Sequence, residues 1–147
     1  MDFPNFIDPQ ALYDLANSQS YNYWIGLGVQ VILSTLVGGI VLLVLVEIFS
    51  HHFGESVKPA NAFLVALIGN VLTFFGVMGL LISFISWVPF AHLIISLGIW
   101  IVLIKGFFGE MSFTHAVMVG VIFFVLSLVL VPYITGMIMG FVPSFNY

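Results

Sequence analysis

Residues 59–104 read PANAFLVALIGNVLTFFGVMGLLISFISWVPFAHLIISLGIWIVLI, 46 positions without one Asp, Glu, Lys or Arg. As a single helix this stretch would be about 69 Å long at 1.5 Å per residue, over twice the roughly 30 Å hydrocarbon core of a bilayer. It must fold back. The natural break is Ser83-Phe-Ile-Ser-Trp-Val-Pro89, because Pro89 disfavours helix at Val88 and suits the first turn of the helix that follows.

Two further uncharged runs flank it, from Leu15 to Val46 and from Met111 to the C-terminus. Each exceeds the roughly 20 apolar residues that cross a hydrocarbon core. The composition agrees: 62% of the 147 residues are hydrophobic and 5% are charged. A soluble domain carries about 25% charged residues, so this chain lacks the polar surface to cover itself in water. The expected fold is all-α: a polytopic membrane protein, an antiparallel four-helix transmembrane bundle with spans at about 22–47, 59–83, 89–106 and 112–139. Residues 1–20 are expected outside the membrane, and residues 21–147 form one transmembrane domain.

Within the N-terminal segment, Ile7-Asp8-Pro9-Gln-Ala-Leu12 has the grammar of a helix start. Asp8 can cap, Pro9 fits the first helical position, and Ile7 and Leu12 are placed for a hydrophobic staple. Leu12 and Leu15 then share a face, so a short amphipathic helix at the membrane surface is expected. This N-terminus carries Asp2, Asp8 and Asp14 and no basic residue, so no signal peptide is expected and the first run stays as a span. No cysteine is present, which excludes disulfides, thiolate ligands and palmitoylation. Two basic residues make no nucleic-acid surface.

Tyr21, Tyr23 and Trp24 stand where the first span enters the lipid, Trp87 at the central turn, and Phe141, Phe145 and Tyr147 after the last span. Four spans put these groups on one side, where Tyr and Trp favour the interface. Both lysines, Lys58 and Lys105, fall on the other. Because cytoplasmic loops carry the excess of Lys and Arg, loops 48–58 and 106–111 are expected in the cytoplasm and both termini outside.

The tripeptide Phe53-Gly-Glu55 recurs as Phe108-Gly-Glu110, each copy between the helices of a hairpin. Ala62-xxx-Ala66 follows the first and Ala116-xxx-Gly120 the second, which suggests a tandem hairpin repeat. In lipid, helices associate through close approach at small residues. Ser34-xxx-Gly38, Thr35-xxx-Gly39 and Gly136-xxx-Gly140 extend the list, while the third span has only Ser96 and Gly98 between bulky neighbours. That span is expected to face lipid or a partner subunit.

Chemistry-bearing residues gather in EIFSHHFGE, Glu47–Glu55. Glu47 and His51 are four apart and share a helix face. With His52, Glu55 and His115 they supply imidazole and carboxylate ligands near one surface, the types that a divalent metal such as zinc takes, but in no recognised spacing. The competing reading is a set of solvated loop residues. Haem would need ligands at one depth, for which His51 or His52 with His115 is the pairing near a common surface. Asn70 is the strong polar group inside a span, with Ser34, Thr35 and Ser127 as expected partners and a solute path as the alternative. Glu47 at the end of a long apolar run, together with Asn70 and a kink at Pro132, would suit a proton-linked transporter. Pairing of Glu47 with Lys58 or Lys105 is the simpler alternative.

Asp occurs only in the N-terminal segment, and no glycine-rich phosphate loop with Lys is present, so no catalytic residues are assigned and no enzyme is expected. The leading expectation is a structural, assembly or accessory subunit acting through helix contacts, as a homo-oligomer or with other membrane subunits, in a lipid bilayer and without a required cofactor. The alternatives are a small oligomeric transporter or channel, and a metal- or haem-binding redox subunit.

Overall fold

The computed structural model of the chain describes residues 9–141. The expected cap at Asp8 and staple from Ile7 fall outside them, as do Phe145 and Tyr147 and the side chains of Leu12 and Leu15. Five helices follow in order: α1 Pro9–Phe53, α2 Asn61–Phe74, α3 Val77–Phe84, α4 Ala91–Phe107 and α5 Phe113–Phe141. No strand occurs among the described residues. Two of these helices, α1 over Asn22–Phe53 and α5, are long and apolar enough to cross a membrane; α2 and α4 are shorter and apolar. The chain divides into two compact units, Met1–Gln30 and Val31–Tyr147.

In the first unit, the helix begins at Pro9, the position that the fixed φ of proline favours. Residues 9–20 are the opening turns of α1 rather than a separate short helix. Tyr23 and Trp24 meet edge to face at 5.9 Å and are both well exposed.

In the second unit, helix boundaries differ from the expected spans at three places, each with a local cause. First, α1 continues to Phe53, so His51 and His52 are helical and the connection to α2 is shortened to residues 54–60. Gly54 stops the helix with φ +66, and the Glu55 N–H donates to the Ser50 carbonyl at 3.0 Å. This is a Schellman closure, in which only glycine takes the left-handed position without strain. Second, the stretch expected as one span over 59–83 is two helices. Gly76, at φ +71, breaks it between α2 and α3. Third, α4 starts at Ala91, with Pro89 in the preceding turn and Phe90 at φ +60. A bulky residue there carries strain of about 1–3 kcal/mol. α5 remains helical through Pro132, which leaves the Leu128 carbonyl without its usual i+4 donor.

The core of this unit is built around α4, which packs against α2, α3 and α5. Its large side chains fill gaps left by small residues on its neighbours. The Trp100 ring lies against Gly69 of α2, and Ile101 lies against Gly120 of α5. Trp100 also meets Phe123 of α5 edge to face at 4.8 Å, a geometry that aromatic quadrupoles favour. On the other side of α2, Phe63 lies against Gly39 of α1 and Ala66 faces Gly38. The third predicted span thus packs inward through Trp100, Ile101 and Ile104, although its sequence has few small residues, while Ile94 and Val102 leave it an exposed apolar face as well. Buried residues Leu42, Val46, Val65, Ile104, Phe108 and Val119 gather toward the end bearing loops 54–60 and 108–112. By contrast a Cβ added at Gly136 or Gly140 would meet nothing within 4 Å among the described residues, so the last small-residue pair shows no close helix approach there.

The two Phe-Gly-Glu copies do different work. Gly54 is left-handed and ends a helix, whereas Gly109 has no positive φ. Phe53 is 40% exposed, whereas Phe108 is 2% exposed and part of the core. The tripeptides are therefore not equivalent units of a repeat.

Candidate functional site: a clasp between two loops

The polar residues at the loop end form one connected cluster. Ser112 precedes α5, and its hydroxyl accepts from the His115 N–H at 3.3 Å, capping the first turn. The Ser112 N–H and His115 Nδ1 both reach Glu55 Oε1, at 3.1 and 2.6 Å. A carboxylate oxygen only accepts, so the imidazole proton sits on Nδ1. Glu55 thus reaches from the α1–α2 loop to cap the N-terminus of α5, where the helix dipole favours a negative charge. Burial pushes the Glu55 carboxyl up, but the Ser112 and His115 hydrogen bonds and the His115 charge outweigh it. The result lies below the ordinary carboxylate range.

Phe53, the last residue of α1, stacks on the His115 ring at 3.8 Å, 18° from parallel, and His52 meets Phe53 edge-on at 4.9 Å. The clasp therefore joins the end of α1 to the start of α5 through the His115–Glu55 side-chain hydrogen bond, the Ser112 backbone hydrogen bond and one ring stack. The other carboxylate oxygen, Glu55 Oε2, is buried without a hydrogen-bond partner among the described residues. Two further side chains tie the same end together. Lys105 Nζ donates to the Gly109 and Met111 carbonyls at 2.8 and 2.6 Å, and Asn61 Nδ2 donates to the Phe107 carbonyl at 2.8 Å.

The five expected metal ligands are only partly brought together. Glu55 and His115 pair directly. Glu47 and His51 line a shallow depression of about 400 Å³ with Ser50, Gly54, Glu55 and Ser56. His52 is turned onto Phe53. A carboxylate on Nδ1 is how many metal-ligating histidines are oriented. Among the described residues, however, no three His, Asp or Glu side chains converge to hold an ion. Glu47 is exposed, and Lys105 is held by loop carbonyls rather than by Glu47.

Inside the helices, Asn70 Nδ2 donates to Thr35 Oγ1 at 3.1 Å, joining α2 to α1 through one of its three expected partners. Ser127 instead bonds the Phe124 carbonyl of its own helix. Pro132 is exposed on α5, and Thr135, one turn on, is buried with its hydroxyl unpartnered among the described residues.

Sequence reasoning missed Ser112, Phe53 and Lys105 as parts of this cluster. Ser112 was findable, since a serine directly before an apolar helical run is a cap signal. The ring stack and carbonyl contacts depend on loop conformation and leave no spacing signature. No family model, curated protein or solved structure matches the chain.

Proposed function

We propose that this chain is a four-span integral membrane protein that works through helix contacts, as a structural, assembly or accessory subunit of a membrane complex or homo-oligomer. One observation supports it above others: the outward faces are apolar while the interior holds almost no free polar group. Ile32, Val129 and Phe141 are 61%, 68% and 83% exposed, which in water would leave a large uncompensated apolar surface. The interior amide Asn70 is engaged by Thr35, and a solute path needs polar groups at successive depths.

In this reading α1, α4 and α5 each cross the bilayer, and α2 with α3 forms the second crossing. The 14 residues of α2 extend only about 21 Å and need the second helix to reach across. The loops bearing Lys58 and Lys105 lie on the cytoplasmic side and both termini outside, following the positive-inside bias. The clasp then sits at the headgroup level, holding the hairpin ends together.

Purification in a mild detergent tests the reading. It predicts co-purification of a partner or a discrete homo-oligomer. A persistent monomer with no partner contradicts it.

A further inference from the structure

A second polar pocket lies beside the clasp, where the N-terminus of α2 meets the loop after α4. It has a volume of about 260 Å³ and is lined by Lys58, Asn61, Phe107 and Glu110, among others. Its two charges are opposite in sign, both exposed, and neither makes an ion pair among the described residues. Lys105 nearby shows the contrast, since its ammonium donates to the Gly109 and Met111 carbonyls.

We propose that this pocket binds the headgroup of an ethanolamine phospholipid, with Lys58 on the phosphate and Glu110 on the ammonium. The inference rests on the membrane reading above, which places both loops at headgroup depth. The first N–H groups of α2 already donate to the carbonyls of Lys58, Pro59 and Ala60, so the Lys58 charge, not the helix end, is what takes the anion. Asn61 spends an amide hydrogen on Phe107 and keeps its oxygen as a further acceptor for an ammonium. One turn into α2, Leu64 is exposed, continues the face of Asn61 and offers apolar surface for an acyl chain.

The charge pattern selects among lipids. An ethanolamine ammonium has three N–H donors for Glu110, whereas the methylated nitrogen of choline has none. An anionic glycerol headgroup satisfies Lys58 but sets a negative charge against Glu110.

The test is lipid retention by the full chain in phosphatidylcholine bilayers containing a minority of phosphatidylethanolamine or phosphatidylglycerol, counted by native mass spectrometry. Ethanolamine lipid should be enriched over choline lipid about tenfold, the effect of a single good polar contact. Glu110→Gln should erase that preference, and Lys58→Ala should weaken retention of both lipids alike. Both side chains are exposed, and unchanged circular dichroism confirms that the variants fold. Equal retention of the two lipids, or enrichment unchanged in both variants, overturns the proposal. Displacement of bound lipid by free phosphoethanolamine at equal concentration overturns the lipid as its source. A chain that inserts and assembles but shows no enrichment refutes this inference alone; a chain absent from the membrane fraction refutes the reading beneath it.

Discussion

Adding one methyl group at Gly69 tests the packing around α4. A Cβ built there would lie 2.5 Å from Trp100 Cζ3 and 2.9 Å from Cζ2, far inside carbon van der Waals contact. The indole has little room to retreat, since it is 8% exposed and its other neighbour is the Phe123 ring at 4.8 Å. Overpacking of this kind costs about 1–3 kcal/mol. Alanine returns up to about 1 kcal/mol of helix propensity over glycine. The net loss for Gly69→Ala is therefore up to about 2 kcal/mol. Gly136→Ala is the internal control, because nothing lies within 4 Å of that position and only the propensity gain remains. The two variants should differ by about 2 kcal/mol, roughly a factor of 30 in the folded-to-unfolded ratio. Equilibrium unfolding in mixed micelles, followed by circular dichroism, measures the difference. Adding Trp100→Leu to Gly69→Ala should show favourable coupling, as expected for residues in contact. Equal stability of Gly69→Ala and Gly136→Ala would refute the placement of Trp100 against α2.

Three further outcomes follow from the loop end and the interior. The depressed Glu55 pKa means that its contribution is present above the unfolded value, taken as 4.5, and is lost as pH falls through the lower folded value. Wild-type stability should therefore fall below about pH 4.5 by more than that of Glu55→Gln, and parallel titration curves would remove the clasp from the account. Gly54→Ala, at φ +66, should destabilise by about 1 kcal/mol through strain at the Schellman position, measured in the same micelle assay. Asn70→Ala should cost about 0.6–2 kcal/mol, and Thr35→Val should remove most of the same energy, so that the double variant is little worse than either single one; additive losses would mean that the two side chains do not share a bond.

The long uncharged runs and the proline at position 89 made the helical class and the central turn readable from sequence. Proline leaves an unambiguous mark because it removes a donor and restricts its neighbour. The break at Gly76 left none, since a glycine in an apolar stretch reads equally well as a helix-packing residue. The same ambiguity hid the contacts of α4, though not the helix itself. Small residues mark one partner of a close approach, and the other partner carries no such mark. Gly69 and Gly120 are the small ones, while Trp100 and Ile101 of α4 are the large ones that fill them. At the loop end, the clustering of Glu55 and His115 on one surface was visible as composition. Their pairing was not, because it depends on where the Schellman turn at Gly54 directs the next residue and on Ser112 capping α5.

The chain contains no cysteine, so single substitutions give an unambiguous labelling map in cells. Ser56→Cys in the α1–α2 loop and Gly109→Cys in the α4–α5 loop should react with a membrane-impermeant maleimide only from the cytoplasmic side. Ser86→Cys in the connection before α4 should react only from the other side, and Val129→Cys on the outer face of α5 should resist labelling until detergent is added. Labelling of positions 56 and 86 from the same side, or free reaction at position 129 in intact membranes, would contradict the four-span architecture.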